Sequence, residues 1–177
     1  MENIILGLLL LHSRTIYQLR KRINDGLHLM YSCSMGSIQA ALKKLLHNGH
    51  ISVSETIENG KLKKLYSITD SGKIYFTAWL NSPLESGTAK NPELAKIYFM
   101  GFTEKETRVK IIEKHIADLK KMRSDLENIC NEGEILSSQV QKNDIFYYQL
   151  QTAIYGRDFM QFNIDWYNRL LKNMRSN

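Results

Sequence analysis

Gln39, Lys43 and Lys44 lie on one side of a segment whose other side is apolar, and Lys61, Lys63 and Lys64 follow close behind in a short run. These residue types suit the recognition of a polyanion. A carboxamide bonds adenine through two hydrogen bonds, and ammonium groups reach base edges or phosphates. Small residues at the start of the same segment, Ser34, Gly36 and Ser37, permit close approach and offer amides and hydroxyls to phosphate. No catalytic pattern competes. The chain has no Gly-rich phosphate loop, no G-x-S-x-G and no H-E-x-x-H, so an enzyme is not expected. His47 and His50 flank a turn without an evident third ligand, so neither a metal nor a cofactor is expected.

The elements that must position these groups follow from periodicity. Ile38, Ala41, Leu42, Leu45 and Leu46 form one buried stripe of a helix that ends at Asn48-Gly49. Ser37, Gln39, Ala40, Lys43, Lys44 and His47 make its opposite face. A strand over 50–57, an Asn59-Gly60 turn and a basic strand over 61–68 read as a hairpin, because a two-residue primed turn needs positive φ at both central positions. Thr69 is a natural N-cap for a further helix with Tyr75, Phe76, Trp79 and Leu80 on its apolar stripe. Upstream, 4–11 reads as a first core helix. Ser13 is expected to cap a second, with Ile16, Leu19, Arg20 and Ile23 at helical spacing and Asp25-Gly26 ending it. The order helix–helix–helix–hairpin–helix is that of a winged helix-turn-helix. Taken singly, the helix and hairpin also suit a solvated amphipathic helix beside a lysine-protected edge. Their order, with charge in both expected places, favours DNA.

Charge supports the same half. Residues 1–82 carry ten Lys/Arg against five Asp/Glu, whereas 83–177 carry fourteen against thirteen. The excess of positive charge therefore lies where an anionic partner is expected. Cys33 and Cys130 are far apart and form no C-x-x-C, which fits a reducing cytoplasm. Cys33 directly precedes the groove-facing helix, where oxidation would alter DNA affinity; a passive thiol is favoured, since no basic neighbour in sequence lowers its pKa. The apolar run 4–11 is too short for a bilayer, which needs roughly 20 residues, and it lacks the basic leader and cleavage site of a signal peptide.

Asn81 to Thr88 is rich in turn residues and divides the chain into a domain over 1–82 and another over 83–177. The second is read as purely helical: a fold mainly α overall, with one small β-hairpin and a C-terminal antiparallel helical dimerisation domain. Asn91-Pro92 starts a short helix through Phe99, and Thr103 with Glu106 fits a capping box for a long one. Val109, Ile112, Ile116, Leu119, Arg123, Leu126 and Cys130 form its heptad seam, interrupted at Arg123. Asn131 to Gly133 and Ser137-Ser138 are expected to loosen it. A last helix from Asn143-Asp144 to about Met174 holds eight of the seventeen aromatics between Phe146 and Tyr167. They do not share one face, so several sides need cover, and a second copy of the chain is the simplest cover. Tyr155, Phe159, Phe162 and Trp166 suit either that dimer core, the favoured use, or a pocket for a small aromatic effector. Arg157 with Asp158 suits a ligand carboxylate or, more commonly, the rim of an interface.

At these residues the chain resembles the PadR family of bacterial transcriptional regulators. The matching pieces are Ile5-Leu-Gly-Leu-Leu9, Thr15-Ile-Tyr-Gln-Leu19, Gly36-Ser-Ile38 with Ala41-Leu-Lys-Lys-Leu45, Gly49 with Ile51, and Lys64, Tyr66, Thr69 and Gly72. The resemblance covers roughly 4–80. More weakly, Ala153-Ile-Tyr-Gly-Arg157 and Trp166 look like the final helix of longer-tailed members. It implies a homodimeric, usually repressing regulator joined by its C-terminal helices, bound to a pseudo-palindromic double-stranded operator and released by a small ligand. Gln39 stands where the family usually has tyrosine, and Leu65 where an aromatic is common; loss of the tyrosine, a DNA contact in the family, implies a different operator or weaker binding. A winged-helix protein-interaction module without DNA binding fits part of the same pattern. So does a MarR-type drug-sensing regulator, whose dimer uses helices from both chain ends.

Overall fold

The computed structural model describes residues 1–26, 34–58, 61–84, 92–139 and 143–176. The chain divides into two compact units, Met1–Gly87 and Thr88–Asn177. In the first, α1 (Glu2–Leu11), α2 (Ile16–Gly26) and α3 (Met35–His47) precede strands β1 (Ile51–Glu58) and β2 (Lys61–Ile68) and helix α4 (Asp70–Leu80). Ile5, Leu6, Leu19, Ile23, Ile38 and Leu45 are wholly buried in one core, against which Phe76 of α4 also packs. The residues read as one stripe of α3 are those that face this core, Leu46 only in part.

The two strands are antiparallel, with Ile51 opposite Ile68, Val53 opposite Tyr66, Glu55 opposite Lys64 and Glu58 opposite Lys61. The Asn59-Gly60 turn between them lies outside the described residues, as does Cys33. Arg14 adds a one-residue bridge to the hairpin: its amide donates to the Tyr66 carbonyl at 3.0 Å and its carbonyl accepts from the Tyr66 amide at 2.9 Å. That bridge explains why Ser13 does not cap α2. Ser13 is drawn to the hairpin, its hydroxyl 2.7 Å from that of Ser67. Thr15 caps α2 instead, in a reciprocal box: the Gln18 amide donates to Thr15 Oγ1 at 3.3 Å and the Thr15 amide to Gln18 Oε1 at 2.8 Å.

Gly49, at φ 70°, ends α3 in the left-handed region that favours glycine. Thr69 then ties the hairpin's return to its start. Its amide donates to the His50 carbonyl at 3.1 Å, its hydroxyl donates to the Gly49 carbonyl at 2.7 Å, and the same hydroxyl accepts from the Gly72 amide at 3.1 Å. Of the apolar stripe expected on α4, only Phe76 is buried; Tyr75, Trp79 and Leu80 remain exposed, because the core beneath them is already filled by α1 and α3.

The second unit holds α5 (Pro92–Phe99), a single 3-10 turn (Met100–Phe102), α6 (Lys105–Gln139) and α7 (Asp144–Ser176). Thr103 does not form the expected box with Glu106. Its hydroxyl donates to the Met100 carbonyl at 3.0 Å and so closes the 3-10 turn, and α6 begins after Glu104, whose carbonyl accepts from the Arg108 amide. α6 also runs unbroken past Gly133, contrary to the loosening expected there. Leu150 of α7 fills the space that glycine leaves: a Cβ on Gly133 would stand 2.5 Å from its Cδ1. The two long helices are antiparallel, with Arg175 paired to Glu113 and His115 packed edge-on against Tyr167. The heptad seam of α6 is turned inward, Ile112, Ile116, Leu119, Leu126 and Cys130 all being buried. Where that seam is interrupted, Arg123 meets Glu127 at 3.2 Å, and Arg157 of α7 reaches Glu127 at 3.8 Å and Asp158 at 2.9 Å. Among the described residues, no helix is long and apolar enough to cross a membrane.

Candidate nucleic-acid interface

α3 starts from a closed cap. Ser34 Oγ accepts from the Ser37 amide and Ser37 Oγ accepts from the Ser34 amide, both at 3.1 Å, while the Ser37 hydroxyl also donates to the Ser34 carbonyl at 2.8 Å. Both serine side chains, expected from sequence to be available to phosphate, are thus committed to the helix. The Met35 and Gly36 amides are the first-turn donors that the cap leaves over. Among the described residues, nothing but Ser34 Oγ stands within 4 Å of a Cβ placed on Gly36, so a partner can approach the backbone there.

Gln39 and Lys43 are exposed on the face opposite the buried stripe. Lys44, next to them, is held otherwise: its Nζ pairs with Glu2 Oε1 at 2.8 Å. The hydrogen bond to Glu2, with the carboxylate's charge behind it, keeps the Lys44 ammonium above the usual lysine range. On the hairpin, neighbouring positions of β2 put Lys63 on one face and Lys64 on the other. Lys64 is exposed and Lys63 half-buried. The sequence shows these lysines as one short run; the pleat separates Lys63 from Lys64, since neighbouring residues of a strand point to opposite faces.

α3 and the hairpin share a cleft of about 890 Å³. Gln39, Leu42, Lys43 and Leu46 form its α3 wall, and Leu62, Lys63, Lys64 and Tyr66 its β2 wall. The start of α2 closes the third side, through Thr15 to Gln18. Among the described residues, three lysines and no Asp or Glu line it. Sequence reasoning missed Tyr17, which is 73% exposed and lines this cleft. Its signal was the loss of apolar periodicity, because Tyr17 falls between Ile16 and Leu19 on no buried stripe.

The aromatic candidates lie in the other unit. Tyr155, Phe159 and Phe162 are exposed along α7 and Trp166 is half-buried, at spacings of four, three and four residues. The Tyr155 and Phe159 rings stack with centroids 6.2 Å apart. The stripe that meets α6 is a different one: Gly156, Met160, Ile164, Tyr167 and Leu171. Among the described residues, no three His, Cys, Asp or Glu side chains gather as metal ligands would.

Comparison with known proteins agrees with both units. The model of the transcriptional regulator PadR-like family matches residues 5–78, and that of the virulence activator alpha C-terminal domain matches 89–175. The negative transcriptional regulator PadR of Bacillus subtilis is 29% identical over 140 residues, covering 75% of this chain and 76% of that one. The structure of Bacillus subtilis PadR in complex with operator DNA superposes with a TM-score of 0.80 at 25% identity, over 98% of this chain and 96% of that chain. The same relative in complex with p-coumaric acid gives 0.72 at 21% identity, over 98% of each chain. With a winged helix in one unit, a long helical pair in the other and a family match to each, the chain belongs to the PadR-like family of transcriptional regulators.

Proposed function

We propose that this regulator is a homodimeric, sequence-specific DNA-binding protein that represses from a pseudo-palindromic operator and is released by a small aromatic ligand. The observation that carries the reading is the shared cleft: Gln39 and Lys43 of α3 line the same space as Lys64 of the hairpin. α3 enters the major groove, where Gln39 reads base edges and Lys43 reaches base or phosphate. The start of the helix, Ser34 to Ser37, approaches the backbone through its free first-turn amides. Lys61, Lys63 and Lys64 meet the flanking phosphates, and Lys44 contributes what its pairing with Glu2 leaves.

Residues 1–82 are the DNA-binding domain and 83–177 the dimerisation domain in this reading. The exposed stripe Tyr155, Phe159, Phe162 and Trp166 is the surface that a second copy covers, with the effector held at or beside it. An aromatic acid fits because aromatic faces stack on planar ligands, and because the Bacillus relative was crystallised with p-coumaric acid.

A gel shift on the DNA upstream of the protein's own gene tests the reading. The expected result is a discrete complex at protein concentrations on the order of 10 nM, dissolved by a small aromatic acid. Binding no tighter than to an unrelated duplex of the same length would overturn sequence-specific recognition and leave the winged helix as a protein-docking module.

A further inference from the structure

We propose that the cleft between α3 and the hairpin seats one sugar-phosphate strand of the duplex, with Tyr17 of α2 as the residue that fixes that strand's position. The inference rests on the DNA-binding reading and deepens it. If α3 lies in the major groove and the hairpin flanks it, the strand separating those two regions must cross the gap between them. That gap is this cleft, and its charge is complementary to such a strand: Lys43 stands on one wall and Lys64 on the other, with no acid on the lining among the described residues. Leu46 and Leu62 on the same lining offer apolar surface to the deoxyribose faces.

Tyr17 supplies the neutral contact. It is 73% exposed, an unfavourable place for a large aromatic unless something covers it. Its hydroxyl makes no hydrogen bond among the described residues, whereas Thr15 and Gln18 beside it are engaged in the α2 cap. The phenol is therefore the group that the start of α2 has to offer. A phenol donating to a phosphate oxygen orients the backbone without reading sequence, and so sets the depth at which α3 sits in the groove.

The test uses the full-length protein and the duplex retarded in the gel shift. Anisotropy titrations compare wild type with Tyr17→Phe, on the unmodified duplex and on a set carrying single neutral methylphosphonates across each half-site. Tyr17→Phe is expected to weaken binding about tenfold on every sequence, the cost of a hydrogen bond to a charged group, without changing the salt slope. One methylphosphonate position per half-site is expected to weaken wild type by a similar factor and to leave Tyr17→Phe unchanged. A second pair of variants places a carboxylate on the hairpin. Leu62→Glu, on the cleft, is expected to lose at least ten times more affinity than Ile57→Glu, its exposed cross-strand neighbour off the cleft. If wild type binds and Tyr17→Phe matches it, or its loss adds independently to every methylphosphonate, or the two Glu variants lose equally, the seat is wrong while the functional reading stands. If wild type retards no duplex, both fall together.

Discussion

Lys44 Nζ rests 2.8 Å from Glu2 Oε1, so the first turn of α1 holds the middle of α3 by its own lysine. A charge that sequence alone assigns to DNA is in part a strut between two helices. Its raised pKa means that the Lys44 contribution is fully present below the ordinary lysine range and is lost only as pH rises through the folded value, well above neutrality.

Glu2→Gln should therefore release Lys44 toward DNA. Anisotropy titrations at several salt concentrations are expected to show tighter binding to every duplex and a salt slope steeper by about one charge. The melting temperature should hardly move, since exposed pairs contribute little. Unchanged affinity with a clear loss of stability would make the pair purely structural.

Two glycines should respond oppositely to alanine. A Cβ on Gly72 would stand 2.0 Å from the His50 carbonyl oxygen, which is backbone and already accepts from Thr69. Gly72→Ala is expected to cost about 3 kcal/mol by forcing that joint apart. A Cβ on Gly133 would meet only the end of the Leu150 side chain, and alanine restores up to about 1 kcal/mol of helix propensity. Gly133→Ala should stay within about 1 kcal/mol of wild type. Thermal melts of both variants decide the matter, and equal losses would contradict the packing described.

The parts of this fold that repeat were legible in the sequence, and the parts made by single contacts were not. The stripe from Ile38 to Leu46 and the seam from Ile112 to Cys130 are periodic, so their burial follows from spacing. Periodicity does not say which partner covers a seam, and the α6 seam turns out to be covered by α7 of the same chain. The Arg14–Tyr66 bridge is one residue long and leaves no period, which is why the α2 cap was placed at Ser13 and not at Thr15. On α3, the exposure of Gln39 and Lys43 could be assigned by face. The place of Tyr17 on the cleft could not, because segments far apart in sequence form that cleft.

The exposed stripe of α7 gives a prediction for assembly. Phe159→Glu with Phe162→Glu places two carboxylates on it without touching the buried stripe that meets α6. Light scattering is expected to fall from twice the chain mass to the chain mass, with helical content retained. A variant that stays dimeric would move the interface elsewhere.

Cys130 is wholly buried, and burial pushes its thiol up from the ordinary range, with Arg157 nearby opposing this less strongly. In a Cys33→Ser background, a disulfide reagent at pH 8 should find no reactive thiol in the native protein and one after denaturation. Stoichiometric reaction in the folded state would show that α6 and α7 open readily around it.

The central claim is that the hairpin and α3 together hold DNA, and the salt dependence of binding by the Lys61→Ala, Lys63→Ala, Lys64→Ala triple variant tests it most directly. Anisotropy titrations on the operator and on an unrelated duplex, from low to physiological salt, should show weaker binding to both and a slope shallower by up to ~3 charges. Affinity and slope indistinguishable from wild type would contradict the account.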